Sequence, residues 1–247
     1  MTATLYALKL SHPCHAAELM LDHKGIEHET VYLIHGLHPA ALEEAGFPGR
    51  TVPALKLDGR TIQGSREIST ALEELQPRPP LYPSDADARR AVEDAERWGE
   101  AVLQELVRRV FRWAVAEQPV VRRWLAVDVI GVPAAEYDDS ATESLARRFA
   151  RDADATDERV RRDLEEVPAV LDHTDALIDR GVIGDRTPNA ADFQIAPSVR
   201  VLLAISALRP AIERRPCGEL AERLVPGLDL IPAEIPSAWV ARLEAGS

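Results

Sequence analysis

The stretch TVPALKLDGRTIQGS, residues 51–65, decides how the first part of the chain is expected to fold. Ala54–Leu57 and Arg60–Gln63 have the length of strands, and the Asp58-Gly59 pair between them is typical of a two-residue hairpin turn. Apolar residues then recur at helical spacing from Ser65 to Leu75. The stretch therefore predicts a β-hairpin that leads directly into a helix.

Two strand and helix pairs precede this hairpin. Thr4–Leu10 and His28–Leu33 have the length and residue types of strands. Pro13–Lys24 has a proline at its start and a glycine after its end, which is typical of a helix, and Pro39–Ala45 predicts a shorter one. The order βαβαββα predicts an α/β domain over residues 1–76, with helices packed on a mixed sheet.

Prolines at 77, 79, 80 and 83 interrupt the helical pattern, so residues 77–84 are predicted to be a linker. Residues 85–247 are rich in helix formers and predict an all-helical domain. Within it, the Ser140–Glu143 spacing predicts a capping box at the start of a long helix. Asn189 and Asp192 are spaced so that their side chains can cap another helix reciprocally.

Composition and charge exclude several functional classes. The 247 residues include 29 Lys and Arg against 41 Asp and Glu, which gives a net charge of −12. This charge disfavours nucleic acid and anionic membrane surfaces as partners. No apolar stretch is long enough to span a bilayer, and no signal peptide is predicted. With two isolated cysteines, the sequence predicts a cytoplasmic protein without disulfides.

Ser11 and Cys14 lie where the first strand gives way to the first helix. The Ser11 hydroxyl and the free amides of the helix start are able to bind an anion together, although Ser11 could equally serve only as the N-cap. Cys14 is either a thiolate whose pKa is lowered by the helix start or a small core residue. These alternatives remain open from the spacing alone.

Neither the paired histidines nor the paired arginines are predicted to form a functional site. His12 with His15, and His35 with His38, have the spacing of one helical turn, but no acidic or cysteine ligand accompanies either pair at a recognisable spacing, so no metal site is predicted. Paired arginines among acidic residues predict solvated helix faces. An anion-binding role remains the alternative for three of them, Arg108, Arg109 and Arg112.

Together, these features resemble the cytosolic glutathione transferase superfamily, and the N-terminal part is most similar to its theta class. In the first domain the resemblance rests on Leu5-Tyr6, Ser11–Cys14, residues 33–38, Val52–Leu55 and Ser65 with Ile68. In the second it rests on Asn189–Asp192 and Pro197. The resemblance implies a thioredoxin-like N-terminal domain, an all-α C-terminal domain and a glutathione-transferase-like architecture. It also implies a homodimer and a role in detoxification.

The resemblance implies a role for each candidate site residue. Ser11 would hold a bound thiolate, and Pro53 would be a cis-proline whose neighbour Val52 offers its backbone to a peptide thiol. His38 would contact a terminal carboxylate, and Ser65 would bind the γ-glutamyl carboxylate. The implied cosubstrate is glutathione, which would attack a small electrophile.

One position departs from the family pattern. Gly64 stands where relatives carry an acidic residue or Gln, and Glu67 is not expected to share the face of the helix that binds the ligand. The thiol could therefore be glutathione or another small thiol. Two alternative functions also remain open: a non-catalytic binding or interaction protein, and a thiol-disulfide exchange enzyme that depends on Cys14.

The sequence does not identify the electrophile. Its pocket is predicted to involve second-domain residues near Val102, Leu106, Arg109, Trp113 and Trp239. For both tryptophans, ordinary core or interface packing is the alternative.

Overall fold

The fold is that of a computed structural model, which describes residues 2–244. Four strands, β1 (Ala3–Ala7), β2 (His28–Tyr32), β3 (Ala54–Leu57) and β4 (Arg60–Gln63), form one sheet in the order β2-β1-β3-β4. β1 is parallel to β2 and antiparallel to β3, which is antiparallel to β4. The predicted hairpin and mixed sheet are thus confirmed.

Three helices accompany the sheet: α1 (His12–His23), α2 (His38–Glu44) and α3 (Ser65–Leu75). α1 and α3 pack against each other. On the face of the sheet that carries Tyr6 and Ala54, the buried side chains of Leu42 and Phe47 form a small core cluster. The order βαβαββα and the thioredoxin-like arrangement follow the sequence prediction.

The rest of the described chain is helical. The helices are α4 (Ala86–Trp98), α5 (Glu105–Glu117), α6 (Pro119–Arg123), α7 (Asp139–Asp152), α8 (Asp157–Asp179), α9 (Ala190–Leu203), α10 (Arg209–Ile212), α11 (Pro216–Leu224) and α12 (Ser237–Glu244), with π-helical segments at Gly99–Gln104 and Trp124–Ile130. Within residues 2–244, no helix is long and apolar enough to cross a membrane.

The helix ends correct one predicted cap and confirm another. Asp138, not Ser140, caps α7, because its carboxylate accepts hydrogen bonds from the amides of Ser140 and Ala141. At α9 the reciprocal cap is present: Asn189 Oδ1 accepts from the Asp192 amide, and Asp192 Oδ2 accepts from the Asn189 amide at 2.9 Å. Asp192 is fully buried, so this cap also satisfies a carboxylate that has no access to water.

Two compact units make up the chain. The first contains the sheet and consists of Met1–Gly99 with Gly181–Pro197; the second consists of Glu100–Arg180 with Ser198–Ser247. The first unit therefore includes the proline-rich segment 77–84, α4 and the start of α9. The sequence-based limits 1–76 and 85–247 stay a prediction, and residues 245–247 lie outside the described part.

The buried ammonium of Lys24 fixes the segment that follows α3. Its Nζ donates to Glu73 Oε2 at 2.5 Å, to the Gln76 carbonyl at 2.6 Å and to the Pro79 carbonyl at 2.7 Å. Glu73 Oε2 also accepts the Leu81 amide at 2.9 Å. Because all three ammonium protons have acceptors, this buried charge joins α1, α3 and the proline-rich segment.

A second buried group, the Glu96 carboxylate of α4, contacts α3 and the same segment. The Tyr82 hydroxyl donates to Glu96 Oε2 at 2.6 Å, and the Ser69 hydroxyl lies 2.9 Å from Oε1. Burial raises the pKa of Glu96 above its ordinary value of 4.5, while these hydroxyls and the charge of Arg66 oppose the shift. Lys24 and Glu96 together tie α3 to the rest of the first unit.

Replacing Lys24 by Met should lower the free energy of unfolding by about 3 kcal/mol, since it leaves the part-buried Glu73 carboxylate and two carbonyls without their donor. Urea denaturation of the purified protein measures this loss. Lys56→Met is the matched control, because the Lys56 ammonium lies only over the rings of Tyr6 and Phe47. Equal losses in the two variants would contradict the role given to Lys24.

Glu96→Gln should gain stability relative to the wild-type protein as the pH rises. A raised pKa in the folded state means that Glu96 contributes most below its unfolded pKa of about 4.5, and that this contribution is lost as the pH rises through the folded pKa. Gln has no proton to lose. Unfolding free energies from about pH 4 to about pH 7 test the trend, with Glu93→Gln on the same helix as control. A difference that does not change with pH would exclude this coupling.

Candidate functional site

The sheet register brings the candidate site residues to one end of the sheet. Because β1 and β2 are parallel, Ser11 after β1 and His38 after β2 follow the same ends of their strands. β3 is antiparallel to β1, so Val52 and Pro53 enter β3 at that same end. β4 runs antiparallel to β3 and returns to it, where Ser65 begins α3. The pairing of the strands therefore brings the predicted residues to one end of the sheet.

Hydrogen bonds between the connecting segments hold this end together. The Leu33 amide donates to the Ala7 carbonyl at 2.8 Å, and the Gly64 amide donates to the Pro53 carbonyl at 3.0 Å. The side chain of Gln63 joins the segment before β3, since it accepts the Gly49 amide at 2.7 Å. The Val52-Pro53 bond is cis, as the family resemblance implied.

Ser11 occupies the N-cap position of α1, but its hydroxyl does not cap the helix. Its backbone is extended (φ −76°, ψ 107°), and its side chain makes no hydrogen bond to the amides of the first turn. The half-buried hydroxyl is instead hydrogen-bonded to the Cys14 thiol. The Ser11 side chain therefore does not cap α1, and it accepts no hydrogen bond from the first amides of this helix.

Cys14 lies in the core of the first unit with only 1% of its surface exposed. Burial raises the pKa of its thiol to about 12, and the hydrogen bond from Ser11 only partly opposes that shift. A thiolate at the helix start, one of the two alternatives for this residue, would instead need a lowered pKa. The structure therefore favours Cys14 as a small core residue that stays protonated at neutral pH.

Ser65 and His38 each begin a helix at the same end of the sheet. Ser65 is buried, with 3% exposure, and is the first residue of α3, where backbone amides have no acceptor within the helix. His38 is half-buried and is the first residue of the short helix α2. Their positions are compatible with ligand binding, and the roles predicted for them stay predictions.

Gly64 and Glu67 lie close together at the start of α3. Gly64 is the N-cap of α3 with φ +97°, in the left-handed region that favours glycine. A Cβ on Gly64 would overlap Glu67 Oε2 and lie 3.0 Å from Glu67 Cδ. The Glu67 carboxylate thus reaches back into the space that a side chain at position 64 would enter.

The expectation that Glu67 does not share the ligand-binding face of α3 stays a prediction, although its carboxylate lies beside Gly64. Glu67 is the third residue of α3, and a carboxylate at this position can fold back over the N-cap, as in a capping box. The interval between residues 64 and 67 was the available signal. The direction of a residue on the helix does not by itself show how far a flexible side chain reaches.

Three arginines of the second unit are engaged within that unit. Arg109 donates to both carboxylate oxygens of the buried Asp163, from Nε at 2.5 Å and Nη2 at 2.9 Å. Arg108 pairs with Glu105, and Arg112 donates to the Phe149 carbonyl at 3.3 Å. These contacts favour structural roles over the anion-binding alternative.

Trp113 is also built into the second unit. Its indole N–H donates to Asp157 at 2.7 Å, and its ring centroid lies 5.2 Å from that of Trp239. Only 6% of its surface is exposed. Core packing therefore accounts for Trp113 and for its contact with Trp239.

In the described chain, residues 2–244, no three His, Cys, Asp or Glu side chains are grouped to hold a metal ion. His12 is buried in α1, and His15 is paired with Glu18 at 3.5 Å. The two candidate histidine pairs thus gain no further ligands among these residues.

Comparison with known proteins identifies the fold. Residues 5–80 match the family model of the glutathione S-transferase N-terminal domain. The chain resembles the crystal structure of the beta-etherase LigF from Sphingobium sp. strain SYK-6, with 17% identity, a TM-score of 0.65 and 100% coverage of both chains. No curated protein sequence matches the chain.

Two further similar structures contain glutathione or a derivative of it. One is a glutathione S-transferase from Methylobacterium radiotolerans in complex with glutathione sulfonate; it is 20% identical, with a TM-score of 0.57 and coverage of 96% of this chain and 97% of that chain. The other is a glutathione transferase homolog from Burkholderia with bound glutathione; it is 18% identical, with a TM-score of 0.51 and 100% coverage of both chains. The chain therefore has the glutathione S-transferase fold, and residues 5–80 match that family's N-terminal domain.

Proposed function

We propose that this protein is a glutathione transferase-like enzyme that activates a small thiol, glutathione in the first instance, for attack on an electrophile. The observation that carries the proposal is the meeting of Ser11, the cis Val52-Pro53 segment and Ser65 at one end of the sheet. The structures of similar fold from Methylobacterium radiotolerans, in complex with glutathione sulfonate, and from Burkholderia, with bound glutathione, support this choice of thiol.

Helix starts and backbone groups supply most of the recognition. The buried Ser65 hydroxyl and the first amides of α3 would bind a carboxylate, because the helix dipole favours negative charge there. The backbone of Val52 would pair with the peptide part of the thiol, and His38 would contact a second carboxylate. Ser11 would then lie at the sulfur.

The energy needed to ionise the thiol is within the range of one hydrogen bond and one helix dipole. A free thiol with a pKa of about 8.5 is roughly 3% ionised at pH 7, and lowering that pKa by two units takes about 2.7 kcal/mol. A hydrogen bond to a charged group contributes roughly 1.5–3 kcal/mol, and a helix start adds up to about 1 kcal/mol. The Ser11 hydroxyl with the start of α1 is therefore sufficient.

In the reaction the thiol releases its proton to solvent, and the sulfur electron pair forms a bond to the electrophilic carbon. In a displacement, the leaving group departs with its bonding electrons. In an addition, the resulting carbanion takes a proton from water. Ser11 keeps its own proton and donates a hydrogen bond to the sulfur throughout.

Cys14 has a supporting role in this proposal. Its buried thiol is the group to which the Ser11 hydroxyl donates, and a bound sulfur would take over that donor. Thiol-disulfide exchange through Cys14 would require an accessible thiolate, which its burial opposes.

The second candidate function is binding without catalysis. Gly64 favours it, because this position offers no side chain to a ligand. Both functions predict ligand binding at the same end of the sheet, and turnover separates them. Homodimer formation, cytoplasmic location, a role in detoxification and the identity of the electrophile stay predictions.

Glutathione should bind the wild-type protein, and Ser65→Ala should weaken this binding by roughly tenfold to a hundredfold, since it removes a hydrogen bond to a carboxylate. Isothermal titration calorimetry measures both dissociation constants. The matched control is Ser140→Ala, which changes an exposed serine in the first turn of α7. Equal affinity in all three proteins would remove Ser65 from the site. No binding by the wild-type protein would direct the search to other small thiols.

Ser11→Ala should reduce kcat/KM at about pH 7 by roughly tenfold to a hundredfold with an electrophile that the wild-type enzyme turns over. The deficit should shrink above about pH 8.5, because the thiol then ionises without help. Cys14→Ala should retain most of the activity. A Cys14→Ser variant that loses activity while Ser11→Ala keeps it would overturn the proposal in favour of thiol exchange, and thiol binding without any turnover would favour the non-catalytic function.

A further inference from the structure

The turn between β1 and α1 contains a residue in an unfavourable backbone conformation. β1 ends at Ala7, and the Ser11 amide donates to the Leu8 carbonyl at 3.1 Å, which closes a four-residue turn over residues 8–11. Leu10, the third residue of this turn, has φ +62°. A positive φ at the third position characterises type II turns, in which glycine or asparagine normally occupies that position.

Leu10 differs from the other non-glycine residues with positive φ. Among residues 2–244 these are Leu10, Asp58 and Asp154. The short polar side chain of aspartate tolerates the left-handed region, and Asp58 Oδ1 also accepts the Thr2 amide at 2.8 Å. The half-buried leucine side chain has no polar atom for such a contact. The backbone conformation of Leu10 therefore costs free energy, and its surroundings must hold it in place.

Backbone hydrogen bonds on both sides of the turn fix its two ends. On the β1 side, the Ala7 carbonyl accepts the Leu33 amide at 2.8 Å, which joins the end of β1 to the segment after β2. On the α1 side, the Ser11 carbonyl accepts the His15 amide at 2.9 Å. Leu10 therefore has to connect two ends whose positions are set by the sheet and by the helix.

The strained turn carries the hydroxyl that the proposed function assigns to the thiolate. Leu10 directly precedes Ser11, whose side chain makes no hydrogen bond to the amides of α1. A negative φ at Leu10 would require either a rotated Lys9-Leu10 peptide or a displaced Ser11. Either change would alter the turn that presents the Ser11 hydroxyl. Local strain that the surroundings maintain is concentrated at functional sites in proteins.

We infer that Leu10 is a positioning residue: its left-handed backbone conformation directs the Ser11 hydroxyl to the sulfur of the bound thiol. The inference rests on the proposed function, since it concerns Ser11 in the same site. The alternative is that Leu10 acts only through the packing of its side chain. Glycine and asparagine tolerate a positive φ without the leucine side chain, whereas isoleucine keeps the apolar side chain and disfavours a positive φ. The two explanations therefore make opposite predictions for these substitutions.

The test is the pKa of the thiol of bound glutathione, measured from thiolate absorbance as a function of pH. The full-length wild-type protein is compared with Leu10→Gly, Leu10→Asn and Leu10→Ile. In the glycine and asparagine variants this pKa should stay about two units below the free value. In Leu10→Ile it should rise by about one unit, which corresponds to roughly tenfold weaker binding of the thiolate. S-methylglutathione, whose sulfur cannot ionise, should bind all four proteins with equal affinity.

Leu75→Ile is the matched control, because it makes the same exchange at the last residue of α3. It should leave the thiol pKa lowered. A thiol pKa that rises in Leu10→Gly and Leu10→Asn, or that stays low in Leu10→Ile, would overturn the inference while the proposed function stands. If the wild-type protein does not lower the pKa of bound glutathione, the proposed function fails and this inference with it. The glycine and asparagine variants keep the test decisive if Leu10→Ile does not fold.

Discussion

The pairing of β1 with a parallel neighbour on one side and an antiparallel neighbour on the other is the constraint on which the site depends. Tyr6 pairs with Val31 of β2 and with Ala54 of β3, so one strand sets the register of both neighbours. Because β3 and β4 are joined by a tight turn, this register also fixes where β4 ends. A shift of one residue in β1 would turn its buried face to solvent and separate the four connecting segments.

Because of the same constraint, recognition in the proposed function would rely on backbone groups at this end more than on charged side chains. Two helices of sufficient length, α1 and α3, begin there, and their first amides have no acceptors within the helix. Lys24 and Glu96 hold α3 in place through buried hydrogen bonds to the segment after it, so the position of Ser65 depends on contacts at the far side of its helix.

Turns and helix caps that are formed by residues close together in the chain could be predicted from the sequence. The hairpin at Asp58-Gly59 and the reciprocal cap of Asn189 and Asp192 have the predicted bounds and contacts, because each is formed within a few residues. Ser140 failed as a cap because Asp138, two residues earlier, provides a stronger acceptor at the true helix start. The cis state of Val52-Pro53 came only from the family resemblance, since most such bonds are trans.

Features that depend on side-chain reach or burial were not predictable from spacing. Nothing in the spacing around Cys14 decides between a core thiol and a thiolate; the burial of that helix face does, and it raises the pKa to about 12. The direction of Glu67 on the helix does not predict where its carboxylate lies, because the flexible side chain reaches back to Gly64. The π-helical segment Gly99–Gln104 between α4 and α5 likewise has no signal in the spacing of the residues.

In the proposed function, Ser11 and the start of α1 stabilise a bound thiolate. The most direct measurement is the pKa of the glutathione thiol in its complex with the protein, from the ultraviolet absorbance of the thiolate as a function of pH. Stabilisation by Ser11 and the helix start predicts that the thiol of bound glutathione has a pKa about two units below the free value of about 8.5. A bound thiol that titrates at its free value would contradict it.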